Sequence, residues 1–251
     1  MKIIALANQK GGVGKTTSVI NIGAGLNKLK QKVLFIDLDP QGHLTYSLGI
    51  EAHELKQTIY DLLKGETTLE EIVISRTGLK LIPSNLSLSR ADIEFSGIAG
   101  RELLLKEALK NTRGFDFILI DCPPSLGLLT LNAFVAAQEV FIPLQTEYLA
   151  LQGVSSLLET IEIVRKRLNN DLEITGIIGT RFDRRKRLNK EVVEKIKGYF
   201  GGKLFKTLIR DNIALAEAPS YGKTIFEYAP KSYGAEDYLE LCREIIKRSK
   251  K

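Results

Sequence analysis

Short runs of apolar, β-branched residues recur along this chain, and between them apolar residues return every three or four positions. The runs Lys2–Ala7, Lys32–Asp37, Leu79–Pro83, Phe115–Asp121, Glu139–Leu144, Glu173–Thr180 and Lys203–Ile209 predict strands. The intervening segments predict helices, as in Val154, Leu157, Leu158, Ile161 and Val164, which line one helical face. A repeated alternation of strand and helix, with strands apolar on both faces, predicts an α/β fold: one mostly parallel twisted sheet with helices on both sides. Such sheets bind ligands beyond the carboxyl ends of their strands. The stretch from Gln41 to Glu71 breaks the alternation and predicts short helices. No repeat, low-complexity linker or composition break divides the chain, so residues 1–251 are expected to form a single domain.

Composition narrows the class further. With 44% hydrophobic and 26% charged residues the chain has the make-up of a globular protein, and no segment is long and apolar enough to span a bilayer. The apolar start Ile3–Ala7 stops at Asn8-Gln9-Lys10, short of a signal-peptide core, which predicts a cytoplasmic protein. Cys122 and Cys242 stand apart, with no ligand spacing around either, and read as small buried apolar residues. His43 and His53 sit among polar residues and read as solvated. The net charge of +6 is unevenly spread: the segment from Arg181 onward carries 18 basic and 10 acidic residues, whereas the first 180 carry 18 and 20. A basic C-terminal third attracts polyanions.

The chemistry lies at the first strand end. Lys10-Gly11-Gly12-Val13-Gly14-Lys15-Thr16-Thr17 follows a predicted strand and precedes a helical pattern through Val19, Ile20, Ile22, Leu26 and Leu29. This is the order a phosphate-binding P-loop requires. The glycines let backbone N–H groups turn toward phosphate oxygens, and the helix N-terminus adds its positive dipole. Lys15 is placed to reach the β/γ-phosphates, and the Thr16 hydroxyl to ligate magnesium. Lys10 stands where the general pattern has glycine.

Two carboxylate-bearing strand ends support this reading. Phe117-Ile118-Leu119-Ile120-Asp121 has the form of a Walker B segment, whose carboxylate holds magnesium, usually through water. Val33 to Gln41 ends in Asp37-Leu38-Asp39-Pro40-Gln41, and alternation along extended chain directs Asp37 and Asp39 to the same side. Asp37 joins Thr16 and Asp121 as a candidate magnesium oxygen. Asp39 is the candidate for orienting or deprotonating an attacking water.

These three segments together, with Asp121-Cys122-Pro123-Pro124-Ser125, Pro143-Leu144-Gln145-Thr146-Glu147-Tyr148, Glu217-Ala218-Pro219-Ser220-Tyr221-Gly222-Lys223 and Ser232-Tyr233-Gly234-Ala235, resemble the ParA/Soj family of partition ATPases. The resemblance covers nearly the whole chain. It implies a slow ATPase using ATP and magnesium, and a homodimer that forms face to face around ATP. It also implies that Lys10 reaches the partner's phosphates, that Asp39 positions the hydrolytic water, and that Asp121 is the Walker B carboxylate. The ATP dimer is expected to bind DNA without sequence preference on the nucleoid, and a ParB-like or other cargo-bound adaptor to stimulate hydrolysis. Arg210 and Asn212 are the expected neighbours of the adenine. Many relatives carry two further basic residues in that segment, where this chain has Asp211 and Ala214. The run Arg184-Arg185-Lys186-Arg187 is the expected compensating DNA contact, with Lys247, Arg248, Lys250 and Lys251 as the next candidates.

Three rival readings are distinguishable. Thr180-Arg181-Phe182-Asp183 is similar to a guanine-reading motif, except that arginine stands for its lysine. A membrane-positioning ATPase resembling MinD would use a C-terminal amphipathic helix, and Tyr238, Leu241, Cys242, Ile245 and Ile246 do form an apolar stripe. Acidic residues crowd its other face, so a core-packing helix is expected and no membrane partner. An iron–sulfur reductase on a similar loop would need paired cysteines near a dimer axis, which Cys122 and Cys242 do not offer.

Overall fold

The computed structural model describes residues 1–249. Its seven strands are β1 (Lys2–Leu6), β2 (Val33–Asp37), β3 (Ile74–Arg76), β4 (Leu79–Ile82), β5 (Phe117–Asp121), β6 (Glu139–Gln145) and β7 (Glu173–Thr180). The helices are α1 (Lys15–Lys28), α2 (His43–Ser47), α3 (Ile59–Lys64), α4 (Leu69–Ile72), α5 (Ala91–Glu94), α6 (Leu104–Ala108), α7 (Leu128–Ala136), α8 (Val154–Arg167), α9 (Arg187–Phe200), α10 (Ile213–Glu217), α11 (Ile225–Tyr228) and α12 (Tyr233–Ser249). The sheet runs β3-β4-β2-β5-β1-β6-β7, parallel throughout except for β3 against β4.

Alternate side chains of the parallel strands feed two separate cores. Ile3, Ala5, Ile118, Ile120 and Ile142 pack with residues of α3, α7, α8 and α9. Ile4, Leu6, Phe35, Leu119 and Phe141 pack with α1, α2 and α12 on the opposite face. Gly23 of α1 lies directly over the Phe35 ring, where a Cβ would stand 2.1 Å from a ring carbon, so only glycine lets that helix approach the sheet. The stripe on α12 is core: Tyr238, Leu241, Cys242 and Ile245 are buried. A membrane-facing role for that stripe is thereby excluded. Among the described residues no helix is long and apolar enough to cross a membrane.

Two elements differ from expectation. Lys203–Ile209 is not a strand; it touches the open edge of β7 through isolated bridges, Ile177 with Leu204 and Phe182 with Arg210. The register slips by one residue between these bridges. Phe205 and Leu208 lie over Gly176 and Gly179 of β7, where a Cβ would come within 2.5 and 2.6 Å of them, and this packing holds the segment to the edge without a regular ladder. Conversely, β3 has no counterpart in the predicted strands. It is three residues long and turns into β4 through Thr77 and Gly78, both with positive φ (45° and 81°), the geometry of a tight hairpin. His43 opens α2 and His53 lies in a short 3₁₀ turn; both are exposed.

Candidate nucleotide-binding site

The carboxyl ends of β1, β2 and β5 are adjacent in the sheet, which places the glycine loop beside two carboxylates. Asp37 and Asp121 are direct register partners, and Leu6 of β1 pairs with Asp121 on its other side. Gly12 (φ 71°) and Gly14 (φ 87°) are left-handed, the conformation that turns successive N–H groups into a concave nest. The loop's carbonyls are fixed from β6 and β7: Gln145 Nε2 donates to Gly12 O (2.8 Å) and Thr180 Oγ1 to Val13 O (2.9 Å). Asn8 fastens the loop's start, donating to Pro143 O (2.7 Å) and accepting from Lys10 N–H (2.9 Å). With its carbonyls so held, the loop offers its amides to an anion.

Below the loop, Thr16 Oγ1 donates to Asp121 Oδ2 at 2.6 Å, while Asp121 Oδ1 is buried with no partner. A buried, unpaired carboxylate oxygen beside a hydroxyl suits a hard divalent cation or its bound water, which would satisfy it. Among the described residues no group of three or more His, Cys, Asp or Glu side chains could cage a metal. Magnesium, which prefers few protein ligands plus phosphate and water, fits that donor set better than metals needing a dedicated cage. Burial pushes the Asp121 carboxyl up to about 7, with the Lys15 charge and the Thr16 hydrogen bond opposing and the Asp39 charge adding.

Asp37 is fully buried and both its oxygens are engaged inside the protein. Oδ2 accepts from Thr45 N–H (2.8 Å) and Thr45 Oγ1 (2.7 Å), and Oδ1 accepts from Asp39 N–H (3.2 Å). Burial first, and then the Asp121 charge, raises it to about 8. The geometry gives Asp37 the work of anchoring α2 and the Leu38–Gly42 turn. Asp39 is also buried, with Oδ1 accepting from Gln41 N–H at 3.0 Å. Lys10 is exposed at the loop's mouth.

A cleft of about 520 Å³ extends from Gly12, Val13, Gly14 and Thr17 to a wall formed by Ile209 through Ala216, with Tyr238 also lining it. Arg210 and Asn212 both line the cleft. The Asn212 side-chain carbonyl caps α10 by accepting from Ala214 N–H (2.9 Å). The Arg210 guanidinium instead turns to α12, donating to Asp237 and Glu236. Sequence reasoning assigned no role to Gln145, Thr45 or Asp237: Gln145 and Asp237 act through contacts distant along the chain, and Thr45 through the turn that brings it back onto Asp37; only the amide at the end of an apolar strand, Gln145, left a visible signal.

The basic run is scattered in its partnerships. Arg185 pairs with Asp183 at 2.9 Å and Arg187 with Glu191 at 2.8 Å. Arg184 and Lys186 are exposed and make no ion pair among the described residues. Arg248, in the reserve set, is spent on carbonyls of Thr175, Lys203 and Leu204 and on Glu244. Lys250 and Lys251 lie outside the described residues. In the segment similar to a guanine-reading motif, Thr180 Oγ1 is occupied with the loop, and Asp183 accepts from the Arg185 guanidinium (3.0 and 2.9 Å) and from Arg185 N–H (3.0 Å). Cys122 and Cys242 are free and buried.

Nested glycine amides, a helix N-terminus and a hydroxyl–carboxylate pair, at the carboxyl edge of a parallel sheet, define a P-loop nucleotide-binding protein. A family model described as an AAA domain matches residues 1–174. The sporulation initiation inhibitor protein Soj of Bacillus subtilis is 48% identical over 247 residues, covering 97% of this chain and 98% of that protein. The chromosome partitioning protein ParA of Caulobacter vibrioides is 43% identical over 255 residues, covering 100% and 96%. Among solved structures, cobyrinic acid a,c-diamide synthase from Mycobacterium smegmatis with bound ADP and magnesium superposes with a TM-score of 0.89 at 36% identity, covering 100% of this chain and 96% of that one. The chain belongs to the ParA/Soj family of P-loop partition ATPases.

Proposed function

We propose that the protein binds ATP with magnesium in the glycine loop, dimerises around it, and in that state holds DNA by its phosphate backbone until hydrolysis releases it. The observation that carries this reading is the Thr16–Asp121 pair beneath the loop, with one Asp121 oxygen buried and unpartnered. Backbone amides and Lys15 receive the β/γ-phosphates, and Thr16 and Asp121 hold the magnesium, which when bound neutralises phosphate charge and keeps Asp121 ionised. Asp39, buried beside this pair and fixed by its own turn, orients the attacking water. Its backbone N–H is held by Asp37, so Asp37 acts as an anchor for that turn and not as a direct ligand.

Lys10, exposed at the loop's mouth, extends to the γ-phosphate region of a second copy and neutralises charge across the interface. Intrinsic turnover is slow, and a ParB-like or other cargo-bound adaptor accelerates it. Arg184, Arg185, Lys186 and Arg187 contribute to the DNA contact, which places the protein on the nucleoid. Light scattering tests the assembly: ATP, and more strongly ATP with Asp39→Ala, should convert monomer to dimer, and Lys10→Ala should weaken that dimer. A monomeric Asp39→Ala protein in saturating ATP would overturn the scheme.

A further inference from the structure

The cleft wall from Ile209 to Ala216 has little regular structure of its own. Its first half hangs on the end of β7: Ile209 N–H donates to Gly179 O (2.8 Å), Phe182 N–H to Ile209 O (2.9 Å), and Asp211 N–H to Phe182 O (3.1 Å). Beyond Asp211 it leaves the sheet, and α10, five residues long, is too short to be stable alone. What holds the wall is the first turn and a half of α12. Asp237, with a side chain 8% exposed, accepts from Arg210 N–H (2.8 Å) and from Arg210 Nε (3.0 Å), and Glu236 accepts from its Nη2 (2.6 Å). The guanidinium carbon stacks 4.1 Å from the Tyr233 ring centre. Gly234 completes the fit, since a Cβ there would stand 2.9 Å from Leu215 of the wall. The next residue along α12, Tyr238, lines the cleft and shares a hydrogen bond with Ser18 of α1 at 3.0 Å.

We propose that Asp237, aided by Glu236, is a positioning residue that latches the cleft wall through Arg210 and thereby sets the affinity for the base end of the nucleotide. A planar guanidinium held on two edges, with one face stacked, has a single orientation, so the backbone on either side of Arg210 is fixed before any nucleotide arrives. Without the latch the wall samples open states, and apparent affinity falls in proportion to the competent fraction. The triphosphate end is fastened by separate contacts, from Gln145 and Thr180 to the glycine loop, none of which involves Arg210, Glu236 or Asp237. Loss of the latch therefore separates the two ends of the ligand.

This inference rests on the reading of the cleft as the base site. The test measures binding of ATP and of inorganic tripolyphosphate, each with magnesium, to the full chain and to Asp237→Asn, Arg210→Lys and Glu236→Gln, with steady-state turnover alongside. Asp237→Asn and Arg210→Lys are expected to weaken ATP about tenfold, as for a wall competent one-tenth of the time, with tripolyphosphate unchanged. KM should rise while kcat holds, and Glu236→Gln should show a smaller effect of the same kind. Equal loss for both ligands, or no change in either, overturns the latch. If Asp237→Asn does not fold, Arg210→Lys, which keeps the charge and loses the fork, decides on the same readout. If the unaltered protein binds ATP no tighter than tripolyphosphate, the base-site reading itself fails, a result separate from any of these.

Discussion

The phosphate end of the site and the basic run after β7 lie in the same protein, yet they are built on opposite principles. Around the glycine loop each carboxylate oxygen has a defined place: Asp37 is engaged at both oxygens, and Asp121 at one. The run Arg184–Arg187 is exposed, half of it paired with neighbouring carboxylates and half not. Buried groups at fixed spacing give geometry and so chemistry. An exposed set of cations gives attraction without direction, which suits a polymer recognised by charge alone.

The largest effect should come from the buried end. Lys15→Ala removes the ammonium proposed to receive the β/γ-phosphates, and nucleotide binding should fall by about a hundredfold or more, since contacts to charged groups contribute about 1.5–3 kcal/mol each. Titration with a fluorescent ATP analogue measures it, and near-normal affinity would remove the loop from the site. Next, Asp39→Ala should lower single-turnover hydrolysis by about 10²-fold while leaving ATP affinity within about threefold, as expected for loss of a water-orienting group. A matching loss of affinity would make Asp39 a binding residue.

A third effect follows from burial. Asp37 and Asp121 are held at about 8 and about 7, whereas in the unfolded chain both ionise near about 4. Between these values the folded state binds more protons than the unfolded one, so the contribution is complete below about pH 4 and is lost as pH rises through 7 and 8. Urea midpoints of the protein without nucleotide or magnesium should therefore fall from pH 5 to pH 8, and Asp37→Asn should flatten part of that slope. A rising midpoint over this range would contradict the burial argument.

The smallest effects belong to the exposed end. Reversing Arg184 and Lys186 to Glu should weaken binding to unrelated duplexes more than reversing Arg185 and Arg187, whose charges are already offset. The slope of log affinity against log salt should become shallower by about 0.9 for each phosphate that is no longer neutralised. Equal responses from the two pairs would erase the difference between offset and free cations, and no response from either would move the DNA surface elsewhere.

Much of the buried end was legible in the sequence. The Gly11–Thr17 spacing, the apolar strands ending in Asp37 and Asp121, and their order along the chain carry the geometry, because strand ends in a parallel sheet converge. Six of the seven predicted strands appear, within about two residues at their ends. The seventh, Lys203–Ile209, has strand-like composition, but its pairing depends on Phe205 and Leu208 settling over glycines of β7. The three-residue β3 offers too few positions for alternation to show. Arg210 illustrates the same boundary: the sequence shows its charge, and only the fold shows that α12 has taken it.

The segment along β7 has a consequence for how copies of this protein meet. An open sheet has two rims, and an uncovered rim is a template on which another chain can add a strand and polymerise. Here one rim is the three-residue hairpin arm β3, too short to recruit a partner. The other is occupied by Leu204 to Asp211, through bonds such as Phe205 N–H to Ile177 O (2.9 Å) and Ile209 N–H to Gly179 O (2.8 Å). The sheet is thus kept from becoming a seed for irreversible fibres, and residues Ile209 to Asp211, which line the cleft, also guard that rim.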